Sequence, residues 1–123
     1  MPEGPISKTI LCIDDDNGML GYHRALLERR GFVVLTAASA RSGIQIAAAS
    51  AVAAVIVDYH MPDMNGHEVA TEIKRIKPQL PIVMVSSDND IPEQVLKEID
   101  AFIPKGETQA RLPLLLTQIC AGS

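Results

Sequence analysis

The stretch AVIVD, Ala54 to Asp58, is apolar for four residues and ends on a carboxylate. An apolar run with no polar alternation suits a strand covered on both faces, the situation of a central strand in a parallel sheet. The same unit recurs on either side of it. TILCI (Thr9 to Ile13), FVVLTA (Phe32 to Ala37), PIVMVS (Pro81 to Ser86) and AFIP (Ala101 to Pro104) are short apolar runs separated by longer stretches with helical spacing. Leu20, Leu26 and Leu27 line a first helix that ends at Gly31, Ser39 caps a second carrying Ile44 and Ile46, and Val69, Ile73 and Ile76 mark a third that stops before Pro78. A short fourth helix is expected over Glu93 to Ile99. ARLPLLLTQICA, Ala110 to Ala121, reads as a fifth helix interrupted early by Pro113. Strands alternating with helices predict an α/β fold, a doubly wound five-stranded parallel sheet with crossover helices on both faces.

A chain of 123 residues is expected to form one domain, with its core over about residues 8–121 and no further domain. Aromatic residues make up 3% and the net charge is −4, so platforms for stacking bases are scarce and the basic footprint of a nucleic-acid grip is missing. Direct nucleic-acid binding is not expected. Cys12 and Cys120 have neither disulfide-framework nor zinc-site spacing, which points to a reduced, cytoplasmic setting. MPEGPISK, at the N-terminus, has no apolar signal core. The longest apolar tract, Ile44 to Val57, is broken by Gln45 and Ser50 and falls short of the ~20 residues of a membrane span.

In an open parallel sheet, ligands bind outside the carboxyl ends of the strands. Those ends carry Asp14, Asp15 and Asp16 after the first strand, Asp58 after the third, Ser86 and Ser87 after the fourth, and Lys105 after the fifth. Adjacent carboxylates raise one another's pKa unless water or a cation relieves them. Several acids, a hydroxyl and an ammonium in one crevice suit a divalent cation and a phosphoryl group, since Mg²⁺ takes a few carboxylates, keeps waters and binds phosphate oxygens. Asp16 reads as a helix cap without a ligand role, and His23 and His67 are placed on helix surfaces.

CIDDD, VDYHMPDMNG, MVSS and FIPKG, in that order at successive strand ends, resemble the response-regulator receiver domains of two-component signalling, and the resemblance covers nearly the whole chain. It implies a flavodoxin-like (βα)5 fold with strand order 2-1-3-4-5, and a signalling phosphoacceptor that assists its own phosphorylation and dephosphorylation and is not an enzyme. Asp58 would accept a phosphoryl group from the phosphohistidine of a sensor histidine kinase or histidine phosphotransfer protein. Asp15, Asp58 and the backbone carbonyl of His60 would bind Mg²⁺ (or Mn²⁺), with Asp14 acting through water. Lys105 and Ser86 would contact the phosphoryl oxygens, and Ser87 is small enough to leave access. Ser86 and Phe102 would form the switch, read by a downstream protein near strand 5 and helices 4 and 5. Phe102 has no hydroxyl, so its inward and outward states would differ mainly by packing. The side chains of His60 and Asp88 would influence how fast water removes the phosphate. Gly106 follows Lys105 where the family usually has Pro, and the fourth helix is abbreviated.

Two other functions fit parts of the pattern. A phosphorylation-independent interaction module would need none of these charged residues. A haloacid-dehalogenase-like phosphohydrolase would use Asp14 as nucleophile and Asp16 as acid/base, and would leave VDYHMPDMNG unexplained.

Overall fold

Among the described residues ten elements alternate: β1 (Thr9–Ile13), α1 (Asn17–Glu28), β2 (Val33–Ala37), α2 (Ala40–Ala49), β3 (Ala54–Asp58), α3 (Gly66–Ile76), β4 (Ile82–Ser86), α4 (Glu93–Lys97), β5 (Ala101–Pro104) and α5 (Thr108–Ala121). A 3-10 turn, Lys105–Glu107, leads into α5. The structure is a computed structural model that describes residues 8–87, 89 and 91–121. All strand pairs are parallel, in the expected order β2-β1-β3-β4-β5. Every residue of β3 and β4 is buried, as their unbroken apolar sequences require.

Alternation along the strands divides the core into two layers. Leu11, Ile13, Val55, Val57, Ile82 and Met84 face one side, where Ala40 and Ala47 of α2, Val69 and Ile73 of α3 and Val95 of α4 cover them. Ile10, Cys12, Ala54, Ile56, Val83 and Val85 face the other, against Leu20 and Leu27 of α1 and Leu112, Leu116 and Cys120 of α5. The helix starts follow local capping chemistry. Ser39 accepts from the Ser42 amide at the start of α2, and Asn65 and Glu68 form a reciprocal capping box on α3.

Two expectations are corrected. Pro113 lies inside α5, which runs unbroken to Ala121. So near the helix start the missing amide removes a single intrahelical bond, and burial of Leu112, Pro113 and Leu116 outweighs that loss. His23 is not on a helix surface: α1 buries Leu20, His23 and Leu27, while Leu26 is only half-buried. The fourth helix is short, as expected, with five residues and no side-chain cap at Pro92.

Candidate functional site

Asp14 directly follows β1, and its amide extends the strand ladder by donating to Ala37 O at 3.1 Å. Its carboxylate is 2% exposed and accepts from the Asp16 amide through Oδ1 at 2.9 Å. Asp15 is exposed. Asp16 is the N-cap of α1, accepting from Gly18 N at 2.8 Å and Met19 N at 3.3 Å, as its sequence position suggested. Asp58 ends β3 and is 3% exposed; Oδ1 accepts a long bond, 3.4 Å, from the His60 amide. The loop beyond it is folded back by Gly66 N donating to Tyr59 O at 2.8 Å. A Cβ on Gly66 would lie 2.6 Å from the Asp58 carbonyl oxygen, so this close approach requires glycine.

Lys105 opens the 3-10 turn, where the buried Thr108 hydroxyl donates to its carbonyl at 3.1 Å. The ammonium is 3.3 Å from Asp58 Oδ1 and 3.5 Å from Asp14 Oδ2. Burial raises the pKa of Asp58 and the Asp14 charge adds to this, against the opposing pull of Lys105 and the His60 amide. Burial works to lower the pKa of Lys105, but Asp58 and Asp14 outweigh it and hold the group above the ordinary lysine value. The side chains of Asp14, Asp15 and Asp58 each offer an oxygen within 4.8 Å of the others. Asp14 Oδ2 is buried with no hydrogen-bond donor. Three hard oxygen donors with one ammonium between two of them fit a Mg²⁺ or Mn²⁺ ion.

The other predicted residues are more dispersed. Ser86 is fully buried and shares the strand parity of Ile82 and Met84, on the α2–α4 side. Phe102 is half-buried, paired in register with Met84 and packed against that same layer. Asp58 instead shares the parity of Ala54 and Ile56, on the α1/α5 side. Ser87 is exposed, and His60 is exposed with its ring edge-on to Tyr59. Asp88 lies outside the described residues. His67 is half-buried near the start of α3, its Nε2 2.8 Å from Glu98 Oε1. The residue missed in sequence is His23; the spacing Leu20, His23, Leu27 is the signal that places it on the buried stripe.

Residues 10–117 match the family model described as response regulator receiver domain. The chain belongs to this family. Receiver domains of two-component systems are signalling phosphoacceptors that pair with histidine kinases, not enzymes in the ordinary sense. This receiver domain is 31% identical over 86 residues to the transcriptional regulatory protein GlrR of Escherichia coli K12, covering 70% of this chain and 19% of that protein. It is 33% identical over 89 residues to the response regulator protein TodT of Pseudomonas putida, covering 72% and 39%. The chain thus spans between about a fifth and two fifths of these relatives. A solved response regulator receiver domain protein from Clostridium thermocellum superposes with a TM-score of 0.86 at 28% identity, over 94% of this chain and 95% of that one. Among the described residues no helix is long and apolar enough to cross a membrane. Asp16, the acid/base of the phosphohydrolase alternative, instead caps α1 through Oδ1.

Proposed function

We propose that Asp58 is the phosphoacceptor of a two-component phosphorelay. The observation that carries this reading is the Lys105 ammonium bracketed by the buried Asp58 and Asp14 carboxylates at 3.3 and 3.5 Å, with exposed Asp15 completing an acidic triad. Asp15, Asp58 and the His60 carbonyl would hold Mg²⁺ or Mn²⁺, with Asp14 acting through water. When bound, the ion would draw charge from the phosphoryl group and make it more electrophilic. A carboxylate oxygen of Asp58 attacks phosphorus in line, the phosphorus–nitrogen bond of the donor phosphohistidine breaks, and the histidine leaves with the bonding electron pair and takes up a proton. The product is an aspartyl phosphate. Lys105 turns from the carboxylates to a phosphoryl oxygen, and the Ser86 hydroxyl donates a hydrogen bond to another.

The new charge and acceptor oxygens draw Ser86 toward the phosphoryl group, and Phe102 moves into the space vacated, changing the surface near β5, α4 and α5. Hydrolysis of the acyl phosphate, assisted by the same residues and tuned by His60 and Asp88, resets the domain. The donor is a sensor histidine kinase or a histidine phosphotransfer protein, and the reader is a separate surface or protein. With a net charge of −4, residues 1–123 act as one receiver unit that does not itself grip nucleic acid.

Incubation with acetyl phosphate and Mg²⁺, followed by peptide mapping, tests this. A hydroxylamine-labile phosphoryl adduct on Asp58, absent in Asp58→Asn, is the expected result. An adduct on Asp14 would overturn the assignment, and no adduct at all would leave a phosphorylation-independent interaction module as the better reading.

A further inference from the structure

The buried stripe of α1 contains one polar side chain, His23, which is 1% exposed. Buried polar atoms nearly always have partners, because leaving one unpaired is destabilising. His23 Nε2 has none, and among the described residues the other buried side-chain atom without one is Asp14 Oδ2. The two lie on the same side of the sheet. α1 packs over the layer that contains Ile10 and Cys12, and the alternation of β1 brings Asp14, two residues after Cys12, to that layer. Burial holds the His23 pKa below the ordinary histidine value; the Asp14 carboxylate pulls it up and the Lys105 ammonium pushes it down. Both groups are therefore within electrostatic reach of a neutral imidazole, one of whose nitrogens carries a proton to donate.

We propose that His23 is a positioning residue of the phosphoacceptor site, acting through the buried carboxylate of Asp14. This rests on the phosphoacceptor reading above. In the free protein Asp14 Oδ1 is fixed by the Asp16 amide at 2.9 Å, whereas Oδ2 has only the Lys105 ammonium at 3.5 Å, beyond good hydrogen-bond distance. When a cation held by the acidic triad repels the Lys105 ammonium, or a phosphoryl oxygen draws it away, Oδ2 loses that partner. His23 Nε2–H, the other buried and unpartnered side-chain atom among the described residues, then takes its place, directly or through one ordered water. Asp14 then keeps its orientation while the lysine moves, and the oxygen it offers the cation side of the site stays in place. Leucine would fill the same position of the stripe more favourably, so a histidine kept only for packing has no advantage there.

His23→Leu fills the space without a donor, and His23→Gln restores a donor near the position of Nε2. Calorimetric titration with Mg²⁺, thermal melting and the rate of adduct formation from acetyl phosphate are compared for both variants and the parent. His23→Leu is expected to melt no lower than the parent yet bind Mg²⁺ about tenfold more weakly, the equivalent of one charge-assisted hydrogen bond. His23→Gln is expected to recover most of the affinity and of the adduct rate. Parent-like Mg²⁺ binding and adduct formation in His23→Leu, or a His23→Gln as defective as His23→Leu, overturns the proposal. Should His23→Leu not fold, ¹⁵N NMR of the parent decides. The His23 Nε2 resonance is expected to move between the free protein and the protein with Mg²⁺ and acetyl phosphate, and an unmoved resonance counts against the role. Failure of the parent to accept phosphoryl on Asp58 would overturn the phosphoacceptor reading by itself, while the Mg²⁺ titrations still decide for or against His23.

Discussion

At Asp58, burial and the Asp14 charge both disfavour the ionised carboxylate, and together they outweigh the pull of Lys105 and the His60 amide. The native pKa of Asp58 is raised, so its contribution to stability is full below the ordinary Asp pKa, where both states are protonated, and is lost as pH rises through the raised native value. At neutral pH, without metal, this carboxylate therefore weakens the fold. Asp58→Asn, which mimics the protonated form, should stabilise the domain by about 1 kcal/mol at pH 7, an active-site trade-off, with the gain shrinking as pH falls. Lys105→Ala should act in the opposite direction. It leaves two buried carboxylates without their ammonium, at a cost of about 1–3 kcal/mol, toward the lower end because Lys105 is 22% exposed. Urea denaturation at pH 5 and pH 7 measures both. A destabilised Asp58→Asn would refute the electrostatic account of the site.

At the scale of elements, the site depends on how closely α3 approaches the end of β3. Gly66→Ala places a Cβ 2.6 Å from backbone oxygen, so the loop must shift, at about 1–3 kcal/mol, and adduct formation on Asp58 should slow. Gly106 makes the contrasting case. Nothing lies within 4 Å of its would-be Cβ and its φ is not positive, so Gly106→Ala should stabilise by about 0.4–1 kcal/mol and leave the adduct rate unchanged. Melting curves with phosphorylation time courses separate the two. The brevity of α4 was legible because Asp88, Asn89, Asp90 and Pro92 leave few residues before Asp100. Its attachment was not: Val95 alone is buried, and the α4 end and the turn into β5 are tied to α3 by His67–Glu98 at 2.8 Å and Lys74–Asp100 at 2.7 Å, pairs 31 and 26 residues apart in sequence. Pro113 misled for a related reason, since a residue that weakens an isolated helix is tolerated where it is itself buried together with Leu112 and Leu116 on the packed face. His23 misled because a single polar residue in a three-position stripe looks like the edge of the apolar face.

For the whole molecule, the Asp58 carboxylate that weakens the free fold should become an asset once a cation neutralises the triad. Mg²⁺ at a hundred times its dissociation constant should add about 2.7 kcal/mol of stability through mass action, visible as a rise in melting temperature of about 10 °C. Asp15→Ala should abolish that rise and change the metal-free melting little, because Asp15 is exposed; a rise preserved in this variant would exclude Asp15 as a ligand. The molecular plan itself was largely legible, because apolar strand runs and strand-end acids are local features. Which face of the sheet each strand-end side chain serves depends on register, and that placed Asp58 with the α1/α5 layer and Ser86 with the opposite one. The two-layer core has a practical corollary. Both cysteines, Cys12 and Cys120, belong to the α1/α5 layer, and the α2–α4 layer contains none. Burial, with a contribution from Asp14, pushes the Cys12 thiol up to about 12, and burial raises Cys120 as well, so alkylating reagents find almost no thiolate in the closed protein. Pulsed alkylation thus times the opening of one half of the core without any introduced label, and comparison with amide exchange shows whether the two halves open together.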